Sequence, residues 1–252
     1  MSGNLLDIGR VARRVLLQLL KDPRFLVLAC LVPVLLVWLL QALFTGVPSF
    51  QRLPIPWDEY ALPAAAFFIF FLTYLLATIV LVRERNTGTL VRMLAVGYSR
   101  SAIVLGYVLG YATLAAVQTL LVVVAALVAF DVPLQGSLLA VVATTLTLSI
   151  VSLALGVFVS TLARTEGQIF PTIPLLIVPS MLLSGLIIPL SQLPGYLRAL
   201  AYVVPLTYAE DVLLGMLRDG QTFAEVFPSF LILLAFGVAL LAVSTLTVRA
   251  RD

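Results

Sequence analysis

YALPAAAFFIFFLTYLLATIVLV, residues Tyr60–Val82, runs for 23 residues without an Asp, Glu, Lys or Arg. A helix rises about 1.5 Å per residue, so this length crosses a hydrocarbon core roughly 30 Å thick. Five more charge-free runs lie between Arg24 and Arg52, Arg100 and Asp131, Asp131 and Arg164, Glu166 and Arg198, and Glu225 and Arg249. Each holds one span and none comfortably holds two. The runs are too long and too evenly apolar for the roughly 10-residue alternating strands of a barrel, and in lipid the helix satisfies its own backbone. Composition agrees: 62% of residues are hydrophobic and 11% charged, against about 25% charged in a soluble domain. The expected fold class is therefore an all-α polytopic membrane protein with six transmembrane helices. Residues 1–252 form one transmembrane domain, with spans at about 25–45, 60–82, 102–129, 137–162, 168–188 and 227–248.

Basic residues set the expected orientation. With the N-terminus inside, six spans return the C-terminus inside. Arg10, Arg13, Arg14, Lys21, Arg24, Arg83, Arg85, Arg92, Arg100, Arg164, Arg249 and Arg251 are then inside, and only Arg52, Arg198 and Arg218 outside. Asp58, Glu59, Asp131, Glu210, Asp211, Asp219 and Glu225 fall outside. The net charge of +3 is this topology signal and not a nucleic-acid footprint. Cys30 is the only cysteine, so no intrachain disulfide and no cysteine metal site can form. The first apolar run is too long for a signal-peptide core and is expected to be retained.

Residues 4–22 repeat Leu5, Ile8, Ala12, Val15 and Leu19 at helical spacing, with Asp7, Arg10, Arg14, Gln18 and Lys21 opposite. This predicts a basic amphipathic helix in the inner interface, stopped by Asp22-Pro23. Pro48, Pro54 and Pro56 mark an outside loop, Asp131-Val132-Pro133 a short outside turn, and Arg164-Thr165-Glu166-Gly167 a tight inside turn. Pro171, Pro174 and Pro179 fall within the fifth span, where proline kinks a helix. The segment at about 189–218 is semi-apolar and broken at Pro205. It reads as short re-entrant helices in the outer leaflet, with Tyr196, Tyr202 and Tyr208 at the polar boundary.

Much chemistry is absent. There is no histidine, the commonest general base and metal ligand, and no metal-binding cluster is expected. No carboxylate lies deep in an expected span, which weakens an ion-coupled relay. The only lysine, Lys21, follows Leu20, whereas a phosphate-gripping GxxxxGK[ST] loop needs Gly before its Lys. The chain is expected to bind no cofactor and to be no enzyme; ATP-driven transport would need its ATPase on another polypeptide.

Between spans two and three lies Arg83-Glu84-Arg85-Asn86-Thr87-Gly88-Thr89-Leu90-Val91-Arg92-Met93-Leu94, a charged loop running into a short helix, with Thr87 or Thr89 able to cap it. It resembles the R-E-x-x-x-G-T-L stretch of the ABC-2 type transporter permeases, the membrane subunits of ATP-binding-cassette exporters. Leu183-Ser184-Gly185-Leu186-Ile187-Ile188-Pro189 with Leu193-Pro194 resembles that family's L-S-G-x-x-x-P…L-P segment, and Pro205-Leu206-Thr207-Tyr208 its P-L-T-Y segment. The chain departs from the family at Val91, often Glu, and at Gly97, often Pro. The resemblance implies a permease subunit that exports an amphiphilic or apolar substrate (drug, lipid or lipid-linked glycan) from the cytoplasmic (inner) membrane. It implies an ATPase partner on the cytoplasmic side, holding ATP and Mg, and a second permease copy as homodimer or heterodimer, embedded in membrane lipid and with no nucleic acid. ATPase coupling is then assigned to Arg83, Glu84, Arg85, Thr87, Gly88, Thr89, Leu90 and Arg92 in the loop and helix at about 83–100. The connecting helix contributes Arg10, Arg13, Arg14 and Lys21. Ser184, Gly185, Pro189, Pro194, Pro205, Thr207 and Tyr208 form an outer gate. Phe67, Phe71, Tyr74, Thr78 and Ser180 are pathway candidates, though helix packing is the simpler reading of each. An ion-gradient-driven carrier and a non-transporting membrane scaffold remain as alternatives.

Overall fold

The computed structural model describes residues 2–48, 57–129, 137–163 and 165–247. Arg52, Pro54, Pro56, the Asp131-Val132-Pro133 turn, Arg164, Arg249 and Arg251 lie outside them. The described residues form α1 (Ser2–Lys21), α2 (Pro23–Gly46), α3 (Trp57–Asn86), α4 (Thr89–Ala95), α5 (Arg100–Ala129), α6 (Leu138–Leu162), α7 (Thr172–Leu183), α8 (Gly195–Ala201), α9 (Pro205–Leu217) and α10 (Phe223–Thr247). Six segments are long and apolar enough to span a membrane. This is a multi-pass integral membrane protein.

α3 and α6 are the centre of the bundle, and α2, α7 and α10 turn most of their surface outward. α3 and α6 run parallel: the Ser152 hydroxyl donates to the Phe70 carbonyl, and Gly156 sits one turn further on. A Cβ on Gly156 would lie 2.8 Å from the Tyr74 carbonyl oxygen and 2.7 Å from Ala77 Cβ. Lipid tails are as apolar as leucine, so close backbone approach and interhelical hydrogen bonds hold such helices together. Thr119 and Ser149 pair at 3.4 Å between α5 and α6, and Ser244 of α10 donates to the Ala154 carbonyl at 3.4 Å.

One segment departs from its expected form. The fifth span is only partly helical. α7 has 12 residues, about 18 Å of rise, preceded by a 3₁₀ turn at Glu166–Gln168 and followed by irregular chain from Ser184. Pro171 immediately precedes α7 and Pro174 lies in its first turn, where no intrahelical donor is lost. Only Pro179 is interior. Between α8 and α9 the chain bends by 94°, and Pro205 opens α9 at its first position.

The amphipathic α1 differs in which side chains it buries. Val11, Val15 and Leu19 are buried, while Leu5 is 74% exposed. The reason is α5, along which α1 packs. Gly106 and Gly110 of α5 leave the groove: a Cβ on Gly106 would stand 2.5 Å from Val11 Cβ, and one on Gly110 2.6 Å from Val15 Cβ. The G-x-x-x-G spacing that commonly joins two membrane spans here seats α1 on one. Asp22 then ends α1 and starts α2, its carboxylate accepting from the Phe25 amide at 3.1 Å.

Candidate functional site

Four elements meet where α3 leaves the bundle. α3 continues to Asn86, Thr87 and Gly88 make a tight turn, and α4 begins at Thr89. Gly88 has φ 72°, the left-handed region that glycine enters at no steric cost. Neither threonine caps α4: Gly88 occupies the cap position without a side-chain bond. Thr87 donates instead to the Glu84 carbonyl at 3.2 Å, and its hydroxyl meets that of Thr89 at 3.1 Å.

Arg14 ties the four elements together. Its guanidinium reaches Glu84 of α3 at 3.1 Å, Met93 Sδ of α4 at 3.1 Å and the Tyr107 hydroxyl of α5 at 3.4 Å. Gln18 donates to the same Glu84 carboxylate at 3.3 Å. Burial alone would lower the Arg14 pKa, but the neighbouring Tyr107 oxygen and Glu84 carboxylate raise it above the ordinary value. Leu90 and Met93 bury α4 in the cluster that holds Val11, Val15, Tyr107 and Val108.

The eight loop residues divide by role. Arg85 points inward and donates to the Ser160 and Ala163 carbonyls at 2.8 and 3.2 Å, a cation at the C-terminal end of α6. Leu90 is buried. Arg92 closes the turn through the Thr87 carbonyl at 3.0 Å. Arg83 and Thr87 are exposed. Val91 of α4 is 46% exposed and Val96, immediately after the helix, 79%. Gly97 has φ 100° with open space at its Cβ. Proline holds φ near −65°, so a proline here would demand a different turn. On α1, Arg10 pairs with Asp7 at 3.3 Å at the surface, and Arg10, Arg13, Arg14 and Lys21 line one basic groove.

At the other end of the bundle Arg198 staples the irregular segment, donating to the Leu190, Ser191 and Leu193 carbonyls at 2.9, 2.7 and 3.2 Å. Pro189 and Pro194 flank this piece, immediately before the Leu190–Gln192 turn and α8. Thr207 donates to the Ala201 carbonyl at 2.7 Å and Tyr208 to that of Tyr202 at 2.9 Å, which fixes the α8–α9 bend. Gly185 takes φ 95°, and the Leu186 amide donates to the Ser184 hydroxyl at 3.3 Å.

The family model of the ABC-2 type transporter matches residues 7–218. The chain belongs to the ABC-2 type transporter family. Among curated relatives, "ABC transporter G family member 20" of Dictyostelium discoideum is 28% identical over 68% of this chain and 24% of its own length. "Probable multidrug ABC transporter permease YbhS" of Escherichia coli K12 is 25% identical over 70% of this chain and 47% of its own. "Inner membrane transport permease YhhJ" of the same strain is 28% identical over 67% and 46%. The chain thus spans about half the length of these bacterial relatives and about a quarter of the Dictyostelium one.

In this ABC-2 transporter chain the pathway candidates lie within the core of the single chain. Phe67, Tyr74, Thr78 and Ser180 are buried within the single chain, and Phe71 packs against the same core. The Tyr74 hydroxyl meets Thr172 at 3.0 Å, Thr78 donates to the Tyr74 carbonyl at 2.7 Å, and Ser180 to that of Leu176 at 2.6 Å.

Sequence reasoning missed Glu210, placing it with the outside acids. It is fully buried, and neither carboxylate oxygen has a hydrogen-bond partner among the described residues. The signal was available: Glu210 falls on the Leu206–Leu213–Leu217 stripe of α9, at spacings of four, three and seven. Thr144 of α6 is likewise buried without a partner among the described residues. Ser229 of α10 bonds Asp211, and Gly237 of α10 lies against Val151 of α6. An unpartnered buried carboxyl costs stability, and a charge there costs far more. Glu210→Leu should therefore leave the melting temperature of the detergent-purified protein unchanged or raised. Glu210→Lys should lower that temperature markedly or prevent folding.

Proposed function

We propose that this chain is the permease subunit of an exporter driven by ATP hydrolysis in a separate subunit. The Arg14–Glu84 knot carries the reading. It makes α1, the end of α3, and α4 one body, fastened to α5 through Gly106 and Gly110 and to α6 through Arg85. A motor pressing on α4 or α1 would thereby move three spans together. The exposed Val91 and Val96 offer an apolar contact, and the basic groove of α1 would attract an acidic partner. This face is the cytoplasmic one, the α8–α9 turn is the outer gate, and a second permease copy completes the pathway. The substrate is amphiphilic or apolar, in keeping with spans that lack charge.

The test is uptake into inside-out vesicles. With a cognate ATPase subunit and ATP, a lipophilic dye should accumulate; without that subunit, neither ATP nor an imposed proton or sodium gradient should drive it. Uptake on a gradient alone would favour a secondary carrier. An ATPase that binds but moves nothing would favour a scaffold.

A further inference from the structure

A cavity of about 570 Å³ opens between α1, α2 and α3 at the α1 end of the bundle, a volume within the usual range for small-molecule sites. Its wall is graded. Leu76, Ile79 and Val80 line one part. Glu84 is two turns further along α3, about 12 Å from Leu76, and the lining there becomes polar, with Arg83, Thr87 and Thr89. Phe25 extends the apolar part from α2, and Asp22 stands where α1 passes into α2. Such a gradient fits a molecule with an apolar tail and a polar head.

The charges say which head. Four charged groups, two of each sign, line the cavity: Arg14, Arg83, Asp22 and Glu84. Arg14 and Glu84 are spent on each other at 3.1 Å. The Arg83 guanidinium has no hydrogen bond or ion pair among the described residues. Asp22 uses one oxygen on the Phe25 amide and makes no ion pair among them. What remains is one cation on α3 and one carboxylate at the junction of α1 and α2, lining the same space. A purely anionic head would satisfy Arg83 and be repelled by Asp22; a purely cationic head would do the reverse. We propose that the cavity binds an amphiphile whose head carries both a phosphate and an ammonium group. The phosphate pairs with Arg83 and the Thr87 and Thr89 hydroxyls, and the ammonium with Asp22. The Leu76–Val80 surface takes the start of the acyl chain. The site does not depend on the transport reading, since a resident bilayer lipid occupies it as well as a cargo would.

The experiment is native mass spectrometry of the full chain released from nanodiscs of equal parts phosphatidylethanolamine and phosphatidylglycerol. Wild type should retain the ethanolamine lipid in preference. Arg83→Gln should reduce that retention about tenfold, the loss of one charge-assisted contact. Arg100→Gln, which removes a cation from the same end outside the cavity, should not. Asp22→Asn keeps a helix-capping side chain and should reverse the preference toward phosphatidylglycerol. Leu76→Trp should reduce both lipids by filling the apolar part. Equal loss in Arg83→Gln and Arg100→Gln, or an unchanged preference in Asp22→Asn, would overturn the assignment. Displacement of the retained lipid by millimolar inorganic phosphate would also overturn it, because the head alone would then suffice.

Discussion

On the function proposed, a transporter carrying Glu84→Arg should insert and assemble normally, keep ATP turnover in the proposed partner subunit, and move substrate at a tenth or less of the wild-type rate. The Glu84 carboxylate is 11% exposed and faces an Arg14 side chain that is 34% exposed. Reversing it sets two guanidiniums against each other and removes the acceptor for Gln18. Breaking a fully buried pair costs about 3–5 kcal/mol; partial exposure of Arg14 brings this to about 1–3 kcal/mol. Each 1.4 kcal/mol is a factor of ten in the population of the assembled knot. Substrate moved per ATP hydrolysed is the quantity to measure. Adding Arg14→Glu should recover part of the loss by restoring an opposite-charge pair. Recovery stays partial, because a glutamate at position 14 donates to neither Met93 nor Tyr107. Unchanged coupling in the single variant would show that the pair only sets topology.

Gly110→Val should have the larger structural effect. A Cβ there meets Val15 Cβ at 2.6 Å and the Ala12 carbonyl oxygen at 3.2 Å. The carbonyl is helix backbone and cannot rotate aside, so α1 as a whole must lift from α5. What is lost is packing and the Arg14 contacts, about 2–4 kcal/mol together. A protease cutting at Arg13 or Lys21 should cleave Gly110→Val in detergent many times faster than wild type. Gly9→Ala, where nothing lies within 4 Å of the new Cβ, is the control and should be indistinguishable from wild type. Equal protection of Gly110→Val and wild type would mean that α1 is not seated by the glycine groove.

What was legible in the sequence was what lipid dictates. Charge-free runs of spanning length define six spans because hydrocarbon tolerates little else, and Asp22-Pro23 separates α1 from α2 because proline has no amide to continue a helix. The charged stretch after the second span was recognisable, but the roles within it were not. Arg83 and Arg85 are two residues apart and look alike, yet Arg85 turns inward to the end of α6 and Arg83 outward to a cavity. Helical phase against a neighbouring helix decides that, and a neighbour is a tertiary fact. The same holds for α1, where Leu5 and Val11 look equally able to be buried until Gly106 and Gly110 fix the contact line. Glu210 was grouped with the outer acids by topology alone and its burial was missed, although its spacing from Leu206, Leu213 and Leu217 pointed inward. Thr87 and Thr89 looked like caps by residue type, but the left-handed turn at Gly88 took the cap position.

The most direct test of the account asks whether α1 and the end of α3 move as one body when the motor turns over. In a Cys30→Ser background, Arg14→Cys and Glu84→Cys would be joined by a short bismaleimide, and substrate moved per ATP measured in vesicles before and after linking. The account predicts that linking restores coupling lost with the two charged side chains, because a covalent tie replaces the ion pair. Coupling that falls further on linking would mean that α1 and α3 must separate during transport, and would contradict it.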